Sequence, residues 1–197
     1  KVVTKATDPT ASEAVGTVWY NSTSPSALKY SIEGAGAWAS GGEINSARSE
    51  PGGAGTQTAG MIFGGEPPTT GNTEQYNGST WTEVANLNLA RFGPGGGGIQ
   101  TAAMCFGGEG PAKNESETWD GTSWTEGANL TTARGRGGAS QSGTPTAMLF
   151  FGGQATPSAS ALAIAETWNG TAWTEVGDLN TSRAFPGGFG ISTTSIC

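Results

Sequence analysis

Histidine is absent from the 197 residues. With it go the nucleophile systems that need an imidazole base, Ser-His-Asp and Cys-His, and every His-ligated zinc or copper centre. Cysteine is nearly absent too: Cys105 and Cys197 are too few for a four-thiolate site or a disulfide framework, and read as small core hydrophobes. No cofactor and no metal is expected. Charged residues make up 13% of the chain, against about 25% in ordinary domains. The net charge of −7 contains no basic run, so the phosphates of a nucleic acid would be repelled. No stretch of about 18 apolar residues is present, and Lys1 to Asp8 lacks the apolar centre of a signal peptide. Membrane insertion is therefore not expected. The sequence starts without Met, which suggests that residue 1 is not the natural start.

What the chain has in excess is glycine, 34 of 197 residues, roughly twice ordinary usage or more. Glycine destabilises a helix interior by about 1 kcal/mol relative to alanine, and no apolar period of 3.6 residues runs through the sequence. The glycines instead recur in register with other landmarks. Met61-Ile-Phe63, Met104-Cys-Phe106 and Leu149-Phe-Phe151 each precede a Gly-Gly pair. Glu74-Gln-Tyr-Asn-Gly78, Glu117-Thr-Trp-Asp-Gly121 and Glu166-Thr-Trp-Asn-Gly170 follow, and each leads into Trp-Thr-Glu at Trp81, Trp124 and Trp173. A marker arginine closes each unit. Arg48, Arg91, Arg134 and Arg183 stand 43, 43 and 49 residues apart.

That period belongs to propeller blades and not to the shorter helical repeats. Asn77-Gly78, Asp120-Gly121 and Asn169-Gly170 are signals for a two-residue hairpin turn with positive φ at both central positions. The run from Thr58 to Phe63 is apolar or small throughout, as suits a strand covered on both faces. The first unit is predicted as four strands near residues 52–57, 58–64, 73–77 and 80–85. The Gly-Gly pair is placed where another backbone or a Trp side chain leaves no room for a Cβ. The expected fold is all-β, in four-stranded antiparallel blades, about 3.5 to 4 of them. A lead-in covers 1–27 and blades cover 28–197: a half-blade at 28–42, full blades at about 52–85, 95–128 and 137–177, and a half-blade at 187–197. The terminal halves would either close a four-bladed ring or mark a cut from a longer protein, and the reading favours the cut.

The apolar run, Gly-Gly, and an aromatic followed five residues later by Trp (Tyr76 and Trp81, Trp119 and Trp124, Trp168 and Trp173) resemble the kelch repeat over roughly residues 40–197. Two copies carry Trp where that family has Tyr. The segment Val15-Gly-Thr-Val-Trp-Tyr-Asn-Ser-Thr23 with Leu28-Lys-Tyr30 is similar to the hairpin ahead of repeat regions in tail-fibre-like virion proteins of tailed phages. Gly-, Thr- and Ser-rich kelch-like repeats of this kind resemble those of marine phages. The copper oxidases that share kelch blades need histidines this chain lacks.

Residues repeated in every blade read as structural. Arg48, Arg91, Arg134 and Arg183 are each expected to pair a glutamate such as Glu74, Glu117 or Glu166, or to cap strand-end carbonyls, and Trp81, Trp124 and Trp173 to be buried. Glu83, Glu126 and Glu175 repeat as well, and a glycosidase pair flanking one bond is not read from them. Departures from the repeat are the candidate contact sites. The third unit is longer by six residues, and its loop holds Gln154, Thr156 and Ser158; the matching loop of the second unit ends at Asn114. Trp19 and Tyr20 are the candidate exposed aromatic pair for sugar stacking.

The expected function is that of a non-enzymatic structural or adhesive module of a phage appendage, a tail or head fibre, in the virion or otherwise extracellular. Its partners would be other virion proteins or a host-surface glycan, with homo-oligomerisation supplying avidity. The alternatives are a secreted bacterial glycan-binding propeller and part of a carbohydrate-active enzyme whose catalytic residues lie elsewhere.

Overall fold

A computed structural model describes residues 3–5, 18–21 and 27–30 as strand backbone, and residues 41–140, 145–155, 159–188 and 190 in full. The chain forms two compact units, residues 1–40 and residues 41–197. In the first, strands β1 (Val3–Lys5), β2 (Val18–Asn21) and β3 (Ala27–Tyr30) make one sheet. β1 runs parallel to β2, and β2 and β3 form an antiparallel pair with Tyr20 opposite Leu28.

The second unit is built of three four-stranded antiparallel sheets. β4 (Gly52–Thr56), β5 (Ala59–Phe63), β6 (Thr73–Tyr76) and β7 (Trp81–Val84) form the first. β8 (Gly95–Ile99), β9 (Ala102–Phe106), β10 (Ser116–Trp119) and β11 (Trp124–Glu126) form the second. β12 (Gly138–Ala139), β13 (Met148–Phe151), β14 (Ala165–Trp168) and β15 (Trp173–Val176) form the third. Among the described residues there is no helix. The chain is all-β, made of propeller-like blades; three are described, and they do not close into a ring. Residues 31–40 and 191–197, and with them most of both expected half-blades, lie outside the described residues.

The blades interlock through two apolar layers. Between the first and second sheets lie Met61, Phe63, Leu87, Ala103, Cys105, Trp119 and Trp124; between the second and third lie Met104, Phe106, Leu130, Met148, Phe150, Trp168 and Trp173. The Phe before each of the first two Gly-Gly pairs meets the Trp of the following blade edge-on, Phe63 with Trp124 at 5.0 Å and Phe106 with Trp173 at 4.8 Å between ring centres. Such pairs add about 0.5–1.5 kcal/mol beyond the area they bury. The first strand of each blade is glycine-rich because these rings occupy the space of its side chains. In β8, a Cβ on Gly95 would stand 2.2 Å from the Phe106 ring, and one on Gly96 would stand 2.6 Å from the Phe63 ring of the preceding blade.

The Gly-Gly pairs mark a close backbone approach, made by the marker arginine and not by a Trp. A Cβ on Gly64, at φ 70°, would lie 2.5 Å from the Arg91 carbonyl, and Gly65 N–H donates to that same carbonyl at 2.8 Å. The hairpins turn one residue later than the sequence predicts. Asn77 N–H donates to the Thr80 carbonyl at 3.2 Å, so the turn runs through Gly78 and Ser79, and Gly78 alone takes positive φ, at 96°. The reason is the Asn77 carboxamide oxygen, which accepts from the N–H groups of Ser79 and Thr80 at 3.0 and 2.9 Å and competes with the symmetric turn. Asp120 and Asn169 do the same in the other blades.

Candidate functional site

The marker arginines reach forward by one blade. Arg91 lies in the loop leading into the second blade, and its fully buried guanidinium pairs Glu117 of β10 at 2.8 Å. Its remaining N–H groups donate to the carbonyls of Gly107, Glu115 and Leu89 at 2.9, 2.8 and 3.2 Å. Glu117 is satisfied in turn by Asn88 N–H, the Asn88 carboxamide and Leu89 N–H. Arg134 pairs Glu166 of β14 in the same way and also donates to the Gly152 and Phe150 carbonyls. Arg48 pairs Glu74 of β6 at 2.7 Å. Arg183 differs: it is exposed, and among the described residues its side chain donates a long 3.4 Å bond to the Thr181 carbonyl. The described arrangement is one ion pair per blade, with Arg48 leaving its Nε and Nη2 without hydrogen-bond partners among the described residues, and the arginines do not converge.

The loop residues singled out in the sequence are dispersed. Asn114 is half-buried and locks its own loop, its carboxamide donating to the Leu130 carbonyl at 3.2 Å while its carbonyl accepts from Leu130 N–H at 2.8 Å. Gln154 is buried, and its backbone bridges Gly135 and Ala161. Thr156 and Ser158 lie outside the described residues. Trp19 and Tyr20 are adjacent positions of β2, in register with Lys29 and Leu28; their side chains lie outside the described residues. Trp124 and Trp173 are buried, and Trp124 Nε1–H donates to the Thr73 hydroxyl at 3.1 Å. Trp81 is half-buried and donates to the Gly42 carbonyl. Glu83, Glu126 and Glu175 are exposed.

A different cluster comes together two residues beyond each marker. Glu50, Gly93, Arg136 and Phe185 occupy that slot with φ of 51°, 59°, 57° and 54°. Their backbones form a ladder: Gly93 N–H donates to the Glu50 carbonyl, Arg136 N–H to Gly93 and Phe185 N–H to Arg136, at 2.8, 2.7 and 2.8 Å. Left-handed backbone is ordinary for Gly93 and costly for the other three. Their side chains meet. Arg136 binds the Glu50 carboxylate in bidentate fashion, Nε to Oε2 at 2.8 Å and Nη2 to Oε1 at 3.2 Å, and its Nη1 lies 3.3 Å from Oε1 of the buried Glu109. The guanidinium packs on the Phe92 and Phe185 rings, 5.3 and 5.2 Å from their centres.

Burial raises the Glu109 carboxyl above its ordinary pKa, with Arg136 opposing and Glu50 and Glu66 reinforcing. The hydrogen bond that Arg136 donates to Glu50 is the leading cause that holds Arg136 above its ordinary value. Among the described residues, no group of three or more Cys, Asp or Glu is placed to hold a metal ion. No helix is long and apolar enough to cross a membrane. Sequence reasoning missed this slot because its residue type changes from blade to blade; Gly93 was the one signal of its geometry. Compared with protein-family models and with curated proteins, the chain matches none.

Proposed function

We propose that the chain is a non-enzymatic structural and adhesive module of a tailed-phage appendage, a tail or head fibre, whose kelch-like blades contact a host-surface glycan or another virion protein. The reading extends to an extracellular or virion location and to presentation as a homo-oligomer, in which weak contacts add through avidity.

One observation carries the non-catalytic part of this reading. Arg48, Arg91 and Arg134 are consumed with Glu74, Glu117 and Glu166 in separate buried pairs, one to each blade, while the recurring Glu83, Glu126 and Glu175 are exposed, also one to each blade, which supports a structural use of the repeat rather than a shared catalytic centre. The appendage part rests on the kelch-like landmarks and the β2–β3 hairpin that precedes them. The test is to purify virions that encode this sequence, identify their proteins by mass spectrometry, and locate this one by antibody labelling in the electron microscope. Label on a tail or head fibre supports the reading. A chain absent from the particles, or one that turns over glycan by itself, overturns it.

A further inference from the structure

We propose that the cavity lined by Glu50, Arg136, Phe185, Pro51, Pro94 and Pro186, about 270 Å³ in volume, binds one neutral sugar residue of a glycan through two adjacent hydroxyl groups. The inference rests on the glycan limb of the function proposed above and gives it a place on the molecule.

The backbone is the first argument. The chain turns through left-handed φ at this slot, with glycine at Gly93, where a Cβ would stand 2.9 Å from Arg136 Cγ. Glu50, Arg136 and Phe185 hold the same strained conformation with large side chains, and all three of them line the cavity. Strain retained where a smaller residue would relieve it points to a use for the side chain.

The chemistry of the lining is the second. Arg136 donates two of its five N–H groups to Glu50 and stands 3.3 Å from the Glu109 carboxylate in an ion pair without a hydrogen bond. That leaves donors on the guanidinium beside unused lone pairs on the Glu50 carboxylate, and the side chains are 11% and 30% exposed. Neighbouring sugar hydroxyls, each both donor and acceptor, complement such an edge: one accepts from the guanidinium while the other donates to the carboxylate. Phe185 is 64% exposed; its ring lies against Arg136, and its exposed part offers an apolar surface to the C–H face of a pyranose. The three prolines add apolar wall without N–H donors.

Charge decides the class of sugar. Glu50, Glu66 and Glu109 act together on this region against the single Arg136, so a carboxylated or sulfated sugar meets net repulsion where a neutral one does not.

The test uses the full 197-residue chain with a panel of methyl glycosides of mannose, galactose, glucose and N-acetylglucosamine, and with N-acetylneuraminic acid as the acidic probe. Binding is read by saturation-transfer NMR and titration calorimetry. Phe185→Asn keeps a residue that tolerates left-handed φ, and Arg136→Lys keeps the charge while removing the planar fork. The expected result is binding of at least one neutral glycoside, weakened about tenfold or more by Phe185→Asn and by Arg136→Lys, with the melting temperature of Phe185→Asn unchanged. Binding of no neutral glycoside overturns the proposal, as does a preference for the acidic sugar. Neutral-sugar binding that survives both variants overturns the cavity while leaving a glycan-binding appendage intact. The appendage reading itself fails separately, on virion composition.

Discussion

Replacing Arg91 by methionine tests whether the marker arginines serve the blades that carry them. The side chain is fully buried and its removal keeps most of the volume, so the cost is electrostatic. Glu117 would lose its partner at 2.8 Å and keep three donors, from Asn88 N–H, the Asn88 carboxamide and Leu89 N–H. The Gly107 and Glu115 carbonyls would lose theirs. Breaking a buried pair from one side costs about 3–5 kcal/mol, because a charge stays behind uncompensated; the three surviving donors place Arg91→Met near the lower end, about 3 kcal/mol. Neutralising the acid as well, in Arg91→Met with Glu117→Gln, removes the stranded charge and recovers about 1 kcal/mol or more as coupling between contacting residues. Arg183→Met at the exposed marker costs about 0.5 kcal/mol or less. Urea denaturation followed by tryptophan fluorescence measures all three. A loss below about 1 kcal/mol at Arg91, or an equal loss at Arg183, refutes the structural account of these arginines.

Trp124→Ala, which empties the layer against Phe63, is expected to cost about 3–5 kcal/mol by the same assay, and Trp81→Ala at its half-buried counterpart distinctly less. Backbone N–H of Ser123, with the hydroxyl and N–H of Thr122, holds the Asp120 carboxyl down to about 2, below its ordinary 3.8. A lowered folded pKa means a stabilising term that is complete above about pH 4 and lost as pH falls toward 2. Asp120→Asn, which reproduces Asn77 and Asn169, is expected to fold normally and to flatten the denaturation midpoint across that window; an unchanged profile would dismiss the turn as its source. Burial pushes the Cys105 thiol up to about 12, so iodoacetamide at mildly alkaline pH is expected to spare Cys105 in the native chain and to label it in denaturant, as read on its own peptide by mass spectrometry.

The blades were legible because each strand carries a landmark with a local cause. Asn-Gly and Asp-Gly open the turns, Trp-Thr-Glu starts the outer strands, and the apolar runs before Gly-Gly fill the spaces between sheets. The predicted strands near 73–77 and 80–85 appear as Thr73–Tyr76 and Trp81–Val84. The turn between them escaped because a dipeptide rule ignores the Asn77 carboxamide, which satisfies two N–H groups that a symmetric turn would leave free. Contact sites were sought in insertions, and there the polar side chain of Asn114 proves to be spent on Leu130. The cavity escaped for the opposite reason. Glu50, Gly93, Arg136 and Phe185 share no residue type, and what repeats among them is a backbone angle that no composition or period reports.

That contrast separates two uses of one repeat. Positions that must hold a neighbouring blade are fixed in kind, since a Phe ring on Gly96 or a guanidinium on Glu117 admits one shape. The slot beyond the marker is set by its backbone ladder, so its residue type varies from blade to blade while its side chains pack on one another. Pseudo-symmetry then brings three unlike groups, a carboxylate, a guanidinium and a phenyl ring, to one cavity from the first, third and fourth of the four marker loops. Identical residues there would have produced like-charge repulsion or an unbroken apolar patch. Unlike residues offer a donor, an acceptor and an apolar ring to the small ligand proposed above.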